Sequence, residues 1–159
     1  MTLALRRLTV GDAPRLRQLW TEEWAGDTMI VHGDVFRPEQ MEGFVADDWA
    51  GVVTYLVRDG ECEILSLNSL EPKRGVGSAL MEAVVEEARR QVCRRVFLST
   101  TNDNLRALGF YQRRGFAISA VRPGALNETR RRKPAIPFVG ENGIPLRDEI
   151  ELEMPLPAA

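Results

Sequence analysis

The chain has 159 residues, of which 44% are hydrophobic and 28% charged, and its formal net charge is −2 at neutral pH. These values are typical of a soluble globular protein with a single domain over residues 1–159. The weak acidity predicts no nucleic-acid partner, and the lack of a signal peptide or a long apolar run predicts a cytoplasmic protein without membrane contact. The two cysteines, Cys62 and Cys93, lack metal-ligand spacing, so no metal site is expected.

Hydrophobic periodicity predicts one helix and four strands in the first half of the chain. The helix covers residues 13–24, where large apolar side chains recur at helical spacing. Residues 25–37 show no regular period and are expected to form a loop or a short broken helix. Asp59-Gly60 is typical of a tight hairpin turn, so the strands on either side of it should run antiparallel. The four strands are predicted at residues 2–8, 43–46, 50–57 and 61–67.

The second half alternates helices and strands, which predicts an α/β layout with a mixed sheet. The long helix at 75–92 has one apolar stripe, and its charged residues, including Glu87, are expected to face water. A shorter helix is predicted at about 103–114, and a 25-residue loop at 123–147, a length that is often functional. The remaining strands are predicted at residues 94–100, 116–122 and 149–156, with the last two paired as a hairpin.

A short basic turn joins the strand at 61–67 to the long helix. Two glycines in this turn let the backbone approach a ligand closely, because glycine has no side chain in the way. The free N–H groups and the dipole at a helix N-terminus favour an anion, usually phosphate. We therefore predict a pyrophosphate site, while the alternative is an ordinary strand–turn–helix connection. The turn comprises Lys73, Arg74, Gly75, Val76, Gly77 and Ser78.

The predicted helix at 103–114 carries a second group of candidate residues. Asn104 lies at its start, where the side-chain amide would cap the helix or contact a ligand. Tyr111 follows seven residues later, two turns along on nearly the same face. The alternative is purely structural: Asn104 caps, Tyr111 packs, and Arg113 and Arg114 are solvated.

The turn and the shorter helix match a known pattern when they are taken together. Their sequences are Arg-Gly-Val-Gly-Ser-Ala-Leu at 74–80 and Asn-x-x-Ala-x-x-x-Tyr-x-x-x-Gly-Phe at 104–116. This pair resembles the GNAT superfamily of acyl-CoA N-acyltransferases, over about residues 1–122 and the last strand. The resemblance implies an α/β fold with a mixed sheet of about seven strands, splayed at its centre, and helices on both faces.

The same resemblance implies an activity. The protein would be an N-acetyltransferase that moves an acetyl group from acetyl-CoA to the amine of a small molecule or peptide by direct attack in a ternary complex. The alternative on the same fold is a sensor or interaction module that binds acyl-CoA without catalysis.

The resemblance also assigns roles to residues. Backbone N–H groups of the turn would bind the coenzyme A pyrophosphate, and the pantetheine arm would pair with the strand at about Leu67 and Ser69. A backbone N–H near Leu67 would stabilise the oxyanion, and Tyr111 would donate a proton to the leaving thiolate. Pro72 departs from the family pattern Gln/Arg-x-x-Gly-x-Gly/Ala and removes one phosphate contact, which the basic residues after it would replace. The implied cofactor contacts are Leu67, Ser69, Lys73, Arg74, Gly75, Val76, Gly77, Ser78 and Asn104.

An acceptor amine must lose a proton, and two residues are candidates for the base. Glu63 is the first, acting directly or through water, with a solvated or ion-paired carboxylate as the alternative. His32, the only histidine, is the second, with a surface or structural role as its alternative. The basic cluster at 130–133 would bind an acidic acceptor or the 3′-phosphate of the cofactor, or is a solvated loop. Exposed sheet edges and the long loop favour a homodimer.

Overall fold

The computed structural model describes residues 3–24, 26–70 and 75–158. The strands are β1 (Leu5–Arg7), β2 (Met29–Val31), β3 (Asp34–Phe36), β4 (Glu42–Ala46), β5 (Gly51–Arg58), β6 (Glu61–Ser69), β7 (Arg95–Thr101), β8 (Ala117–Arg122) and β9 (Glu149–Pro155). The helices are α1 (Ala13–Trp24), α2 (Val76–Arg90), α3 (Leu105–Arg113) and α4 (Ala125–Arg132). Over these ranges, no helix has the length and apolar character needed to cross a membrane.

The main sheet has seven strands in the order β1–β4–β5–β6–β7–β9–β8. Neighbouring strands run antiparallel except β6 and β7, which are parallel and are joined through α2. Asp59 and Gly60 form the tight turn between β5 and β6, with φ of 54° and 74°. The mixed α/β sheet, this hairpin and the parallel crossover are therefore confirmed.

The two central strands of the sheet separate partway along their length. β6 and β7 pair over three residues each, and their ladder ends at Ile64 and Leu98. Both strands continue further, β6 as far as Ser69, without pairing to each other in the described parts of the chain. A bulge at Leu65 interrupts the pairing of β6 with β5 at the same point, and such bulges bend the strand that carries them. The predicted splay at the centre of the sheet is confirmed.

Helices cover both faces of the sheet. On one face, α2 inserts Val76, Leu80 and Val84 into an apolar cluster with residues of β5, β6, β7 and β9, here called the α2 cluster. On the other face, α1 packs Leu16 and Trp20 against β4 and β5. Because α1 lies over these two strands, it does not cover the same face of β7, β9 and β8, where Phe97 lies among charged side chains.

The stretch 25–37 is not the loop or broken helix that the sequence predicts. Its described part contains β2 and β3, which pair as an antiparallel hairpin. His32 and Gly33 form the turn in the left-handed region, with φ of 50° and 88°. Each strand has only three residues, which is too short to show a two-residue period, so the pattern gives no signal.

The segment between β8 and β9 is more ordered than the predicted loop, because it contains α4. Arg130 of its basic cluster is buried and donates hydrogen bonds to three backbone carbonyl groups of the same segment. Its guanidinium group also lies 4.4 Å from the Phe138 ring centroid. Lys133 donates to the carbonyl groups of Trp24 and Thr28. The prediction of a solvated loop is therefore wrong for Arg130 and Lys133, because their hydrogen bonds hold the segment in place.

Glu87 of α2 does not face water as expected. It is only 5% exposed, and its carboxylate accepts hydrogen bonds from Arg90, Arg7 and Gln91. The hydrogen bond from Arg90 is the strongest influence and, with those from Arg7 and Gln91, lowers the pKa of Glu87 to about 2 against the effect of burial. The pair with Arg7 holds the edge strand β1 against the long helix.

Candidate active site

The first turn of α2 presents backbone N–H groups near the C-terminal end of β6. Gly75 caps the helix with φ of 71°, and the first intrahelical bond runs from Ala79 N–H to the Gly75 carbonyl at 3.0 Å. The N–H groups of the three residues between them have no acceptor within the helix. No acidic side chain lies in this turn, so the helix end favours an anion. Pro72, Lys73 and Arg74 lie outside the described residues.

The side chains of this turn are used in packing. Val76 is buried, and the Ser78 hydroxyl accepts a hydrogen bond from Arg114 Nε at 2.8 Å. A Cβ on Gly77 would lie 3.1 Å from Phe110 of α3, so this glycine permits close contact between two helices. Arg114 also lies 3.7 Å from the Phe110 ring centroid, and is not the solvated residue of the structural alternative. Within residues 75–78, ligand contacts are therefore expected mainly from the backbone.

Asn104 caps α3, as the structural alternative predicts, and keeps part of its amide free. Its Oδ1 accepts the Ala107 N–H at 3.2 Å, whereas its Nδ2 has no acceptor among the residues that the structure describes. The neighbouring Asp103 is buried, and its carboxylate accepts the N–H of Glu141 at 2.8 Å. The segment between β8 and β9 thus fixes the loop that presents Asn104.

Tyr111 lies in the α2 cluster together with Ile64 and Leu98, the residues at which the β6–β7 ladder ends. Phe110 and Phe116 approach its ring edge-on, with centroids 5.3 and 5.8 Å away. Burial raises the pKa of Tyr111 to about 12. Its hydroxyl has no hydrogen-bond partner within the described ranges. The tyrosine is therefore protonated at neutral pH.

Glu63 and His32, the two candidate bases, lie together on the opposite face of the sheet. Glu63 precedes Ile64 on β6 and so points away from the α2 cluster, with only 7% of its surface exposed. His32 places Nε2 at 3.2 Å from Glu63 Oε1. Burial is the main influence and raises the pKa of Glu63, although the charge and hydrogen bond of His32 oppose the shift. The solvated carboxylate of the alternative hypothesis is not observed, whereas the contact with His32 fits the ion-paired carboxylate of the same alternative.

A cavity of about 290 Å³ lies beside this pair and is lined mostly by charged residues of β5 to β9. Among them Glu151 of β9 is buried. Burial opposes its ionisation, but hydrogen bonds from Ser119, Arg122 and Arg95 prevail and lower the pKa of Glu151 to about 2. The glutamates of β9 could not be predicted as part of a cavity, because glutamates that alternate with apolar residues are equally typical of a strand with one solvated face. Within the described chain, no group of three or more His, Cys, Asp or Glu is placed to hold a metal ion.

A larger cavity of about 450 Å³ lies between α2 and the end of α3. Met81 and Val85 contribute its apolar side. Of the predicted site residues, Ser78 reaches this cavity, whereas Tyr111 and Glu63 do not line it. The larger of the two cavities therefore contains neither of the predicted catalytic residues.

Comparisons with known proteins identify related sequences. The sequence profile of the acetyltransferase (GNAT) family matches residues 13–116. The uncharacterized protein YdhI of Bacillus subtilis strain 168 is 41% identical over 139 residues, which cover 85% of this chain and 87% of that protein.

Two solved structures share the fold at low sequence identity. An acetyltransferase of Bacillus subtilis in complex with CoA is 23% identical, with a TM-score of 0.72 and coverage of 98% of this chain and 100% of that one. A GNAT family acetyltransferase of Elizabethkingia anophelis with acetyl-CoA bound is 20% identical, with a TM-score of 0.71 and coverage of 97% and 98%. At these identities the likeness shows the fold alone.

The substitution Glu63→Gln should stabilise the protein at high pH only. The pKa of Glu63 is raised in the folded state above its ordinary value of 4.5, so folding loses stability as the pH rises from that value through the raised one. Glutamine keeps a hydrogen-bonding group for His32 but carries no charge. We expect the Tm of the variant, measured by circular dichroism, to exceed that of the wild type at pH 8 and to match it at pH 3.5. The same difference at both pH values would contradict the raised pKa.

Proposed function

The chain belongs to the acetyltransferase (GNAT) family, and we propose that it transfers the acetyl group of acetyl-CoA to the amine of a small-molecule or peptide acceptor. The observation that carries this proposal is the opening between β6 and β7, with a buried tyrosine on one face and, on the other, a buried glutamate that contacts an exposed histidine. Proteins of this fold solved with CoA and with acetyl-CoA support the choice of cofactor.

In this proposal the N-terminus of α2 binds the pyrophosphate. The N–H groups of residues 75–78 are the donors, and the helix dipole favours the negative charge. Lys73 and Arg74 would add positive charge at the same end, in place of the contact that Pro72 removes. Because the side chains of the turn are engaged in packing, the contribution of Gly77 and Ser78 is assigned to their backbone.

The pantetheine arm would lie along β6 beyond the end of its ladder with β7. Leu67 and Ser69 belong to this part of the strand, and an arm with amide groups would pair with them much as a peptide adds a strand to a sheet edge. Asn104 would donate from the Nδ2 group that its capping role leaves free. A backbone N–H near Leu67 would stabilise the oxygen that becomes negative during transfer.

Acetyl transfer needs a base for the amine and an acid for the departing sulfur. Glu63 would accept a proton of the amine, assisted by His32, and its raised pKa brings the carboxylate closer to the range that suits a base. The neutral amine nitrogen bonds to the carbonyl carbon as its proton passes to Glu63, the C–S bond breaks, and Tyr111 gives its proton to the sulfur. Glu63 then releases its proton to solvent and the tyrosinate takes one back, which restores both groups. Alignment of both substrates in one complex supplies much of the rate.

A matched pair of substitutions at Gly75 tests the phosphate site. A side chain there would point into open space, and Asp and Asn tolerate its φ of 71° better than other residues do. Gly75→Asp places a carboxylate where the pyrophosphate would bind, whereas Gly75→Asn has nearly the same shape without the charge. We expect the Kd of acetyl-CoA, from isothermal titration calorimetry, to be roughly 10- to 100-fold higher for Gly75→Asp than for Gly75→Asn. Equal values in two folded variants, or no binding by the wild type, would overturn the assignment.

The substitution Tyr111→Phe tests the acid. Removal of the hydroxyl should lower kcat by about 100-fold, with little change in KM for acetyl-CoA, in an assay of CoA release. Tyr55→Phe is the control, because Tyr55 is the other tyrosine and is also buried, and it should keep kcat. An unchanged kcat in Tyr111→Phe would exclude the acid role. Binding of acetyl-CoA without turnover of any amine would favour the non-catalytic module.

A further inference from the structure

The face of the sheet that carries Glu63 is strongly acidic. Side chains alternate between the faces of a strand, so β9 sends Leu152 into the α2 cluster and its three glutamates to the opposite side. Phe97 of β7 lies in register with both Glu63 of β6 and Glu153 of β9. The Cα atoms of these two glutamates are therefore about 10 Å apart, which is two strand spacings, and Phe97 lies between them.

The arginines on this face already have carboxylate partners. Arg95 donates to three glutamates at 2.6, 3.1 and 2.9 Å. Arg122 donates to Glu151 at 2.9 Å, and Arg58 donates to Asp34 at 3.0 Å. A negatively charged acceptor would have to separate one of these pairs before it gained a partner of its own.

Carboxylates outnumber arginines here, and two of them have spare capacity. Glu149 is 28% exposed and approaches Arg122 only to 3.5 Å, while Glu153 is 32% exposed and shares Arg95 with two other glutamates. A face of a protein with an excess of one charge attracts ligands of the opposite charge. The seven carboxylates that line the cavity or pair with its arginines are Asp34, Asp59, Glu61, Glu63, Glu149, Glu151 and Glu153.

We propose that the acceptor is a linear aliphatic diamine or polyamine, whose second ammonium group binds at Glu153 while its reacting amine lies at Glu63. This inference rests on the proposed acetyl transfer and adds the class of acceptor. An ammonium group has three donors and no acceptor, which matches carboxylates that lack a full set of partners. A chain of about four carbons, with a hydrogen bond at each end, spans two strand spacings.

Three amines with the same four-carbon chain form the test: 1,4-diaminobutane, 1-aminobutane and 4-aminobutanoate. They differ only at the far end, which is an ammonium, a methyl or a carboxylate group. We expect kcat/KM, from CoA release at saturating acetyl-CoA, to fall roughly tenfold from the diamine to the monoamine, and further for the amino acid. The advantage of the diamine should shrink as ionic strength rises.

The substitution Glu153→Gln tests the carboxylate itself. Arg95 keeps two other glutamate partners in this variant, so the fold should persist. We expect the ratio of kcat/KM for the diamine to that for the monoamine to fall several-fold. Glu86→Gln makes the same change at a side chain that is 73% exposed on α2, and should leave the ratio unchanged.

A titration of acetyl-CoA against the same wild-type sample separates this inference from the proposed function. If acetyl-CoA does not bind, both fail. If it binds and 1-aminobutane or 4-aminobutanoate equals or exceeds the diamine, the diamine class is overturned and acetyl transfer stands. Binding of acetyl-CoA with no turnover of the diamine also overturns the class.

Discussion

The ladder between β6 and β7 ends in the middle of a seven-stranded sheet and not at its edge. Backbone N–H and C=O groups inside a protein need partners, so an opening at this place leaves strand edges that a ligand with amide groups can occupy. The bulge at Leu65 lies at the same point, one residue after the last pair. The other parts of the proposed site depend on this opening, since Tyr111 and Glu63 approach it from its two faces.

The segment between β8 and β9 connects the two sides of the opening. Lys133 donates to carbonyl groups just before β2, which leads into the turn that carries His32. Near the other end of the segment, Glu141 donates its N–H to Asp103, the residue before Asn104. One insertion thus contacts both the segment that leads to His32 and the loop that presents Asn104.

Much of the fold could be predicted because its signals are local. Asp59-Gly60 specifies a hairpin through its own backbone preferences, and the helical stripes need only the residues of one helix. The contact between His32 and Glu63 could not be predicted, since it joins residues 31 positions apart and depends on a short hairpin without a period. The burial of Glu87 could not be predicted from local patterns either, because its pair with Arg7 forms only when β1 lies against α2.

Hydrogen exchange followed by mass spectrometry tests most directly whether acetyl-CoA occupies the opening. If it does, bound acetyl-CoA should slow exchange in residues 65–70 and 75–79, while residues 51–58, whose strand pairs on both sides, should remain unchanged. Slower exchange confined to the helices around the 450 Å³ cavity, or no change at residues 65–70 with acetyl-CoA bound, would contradict this location.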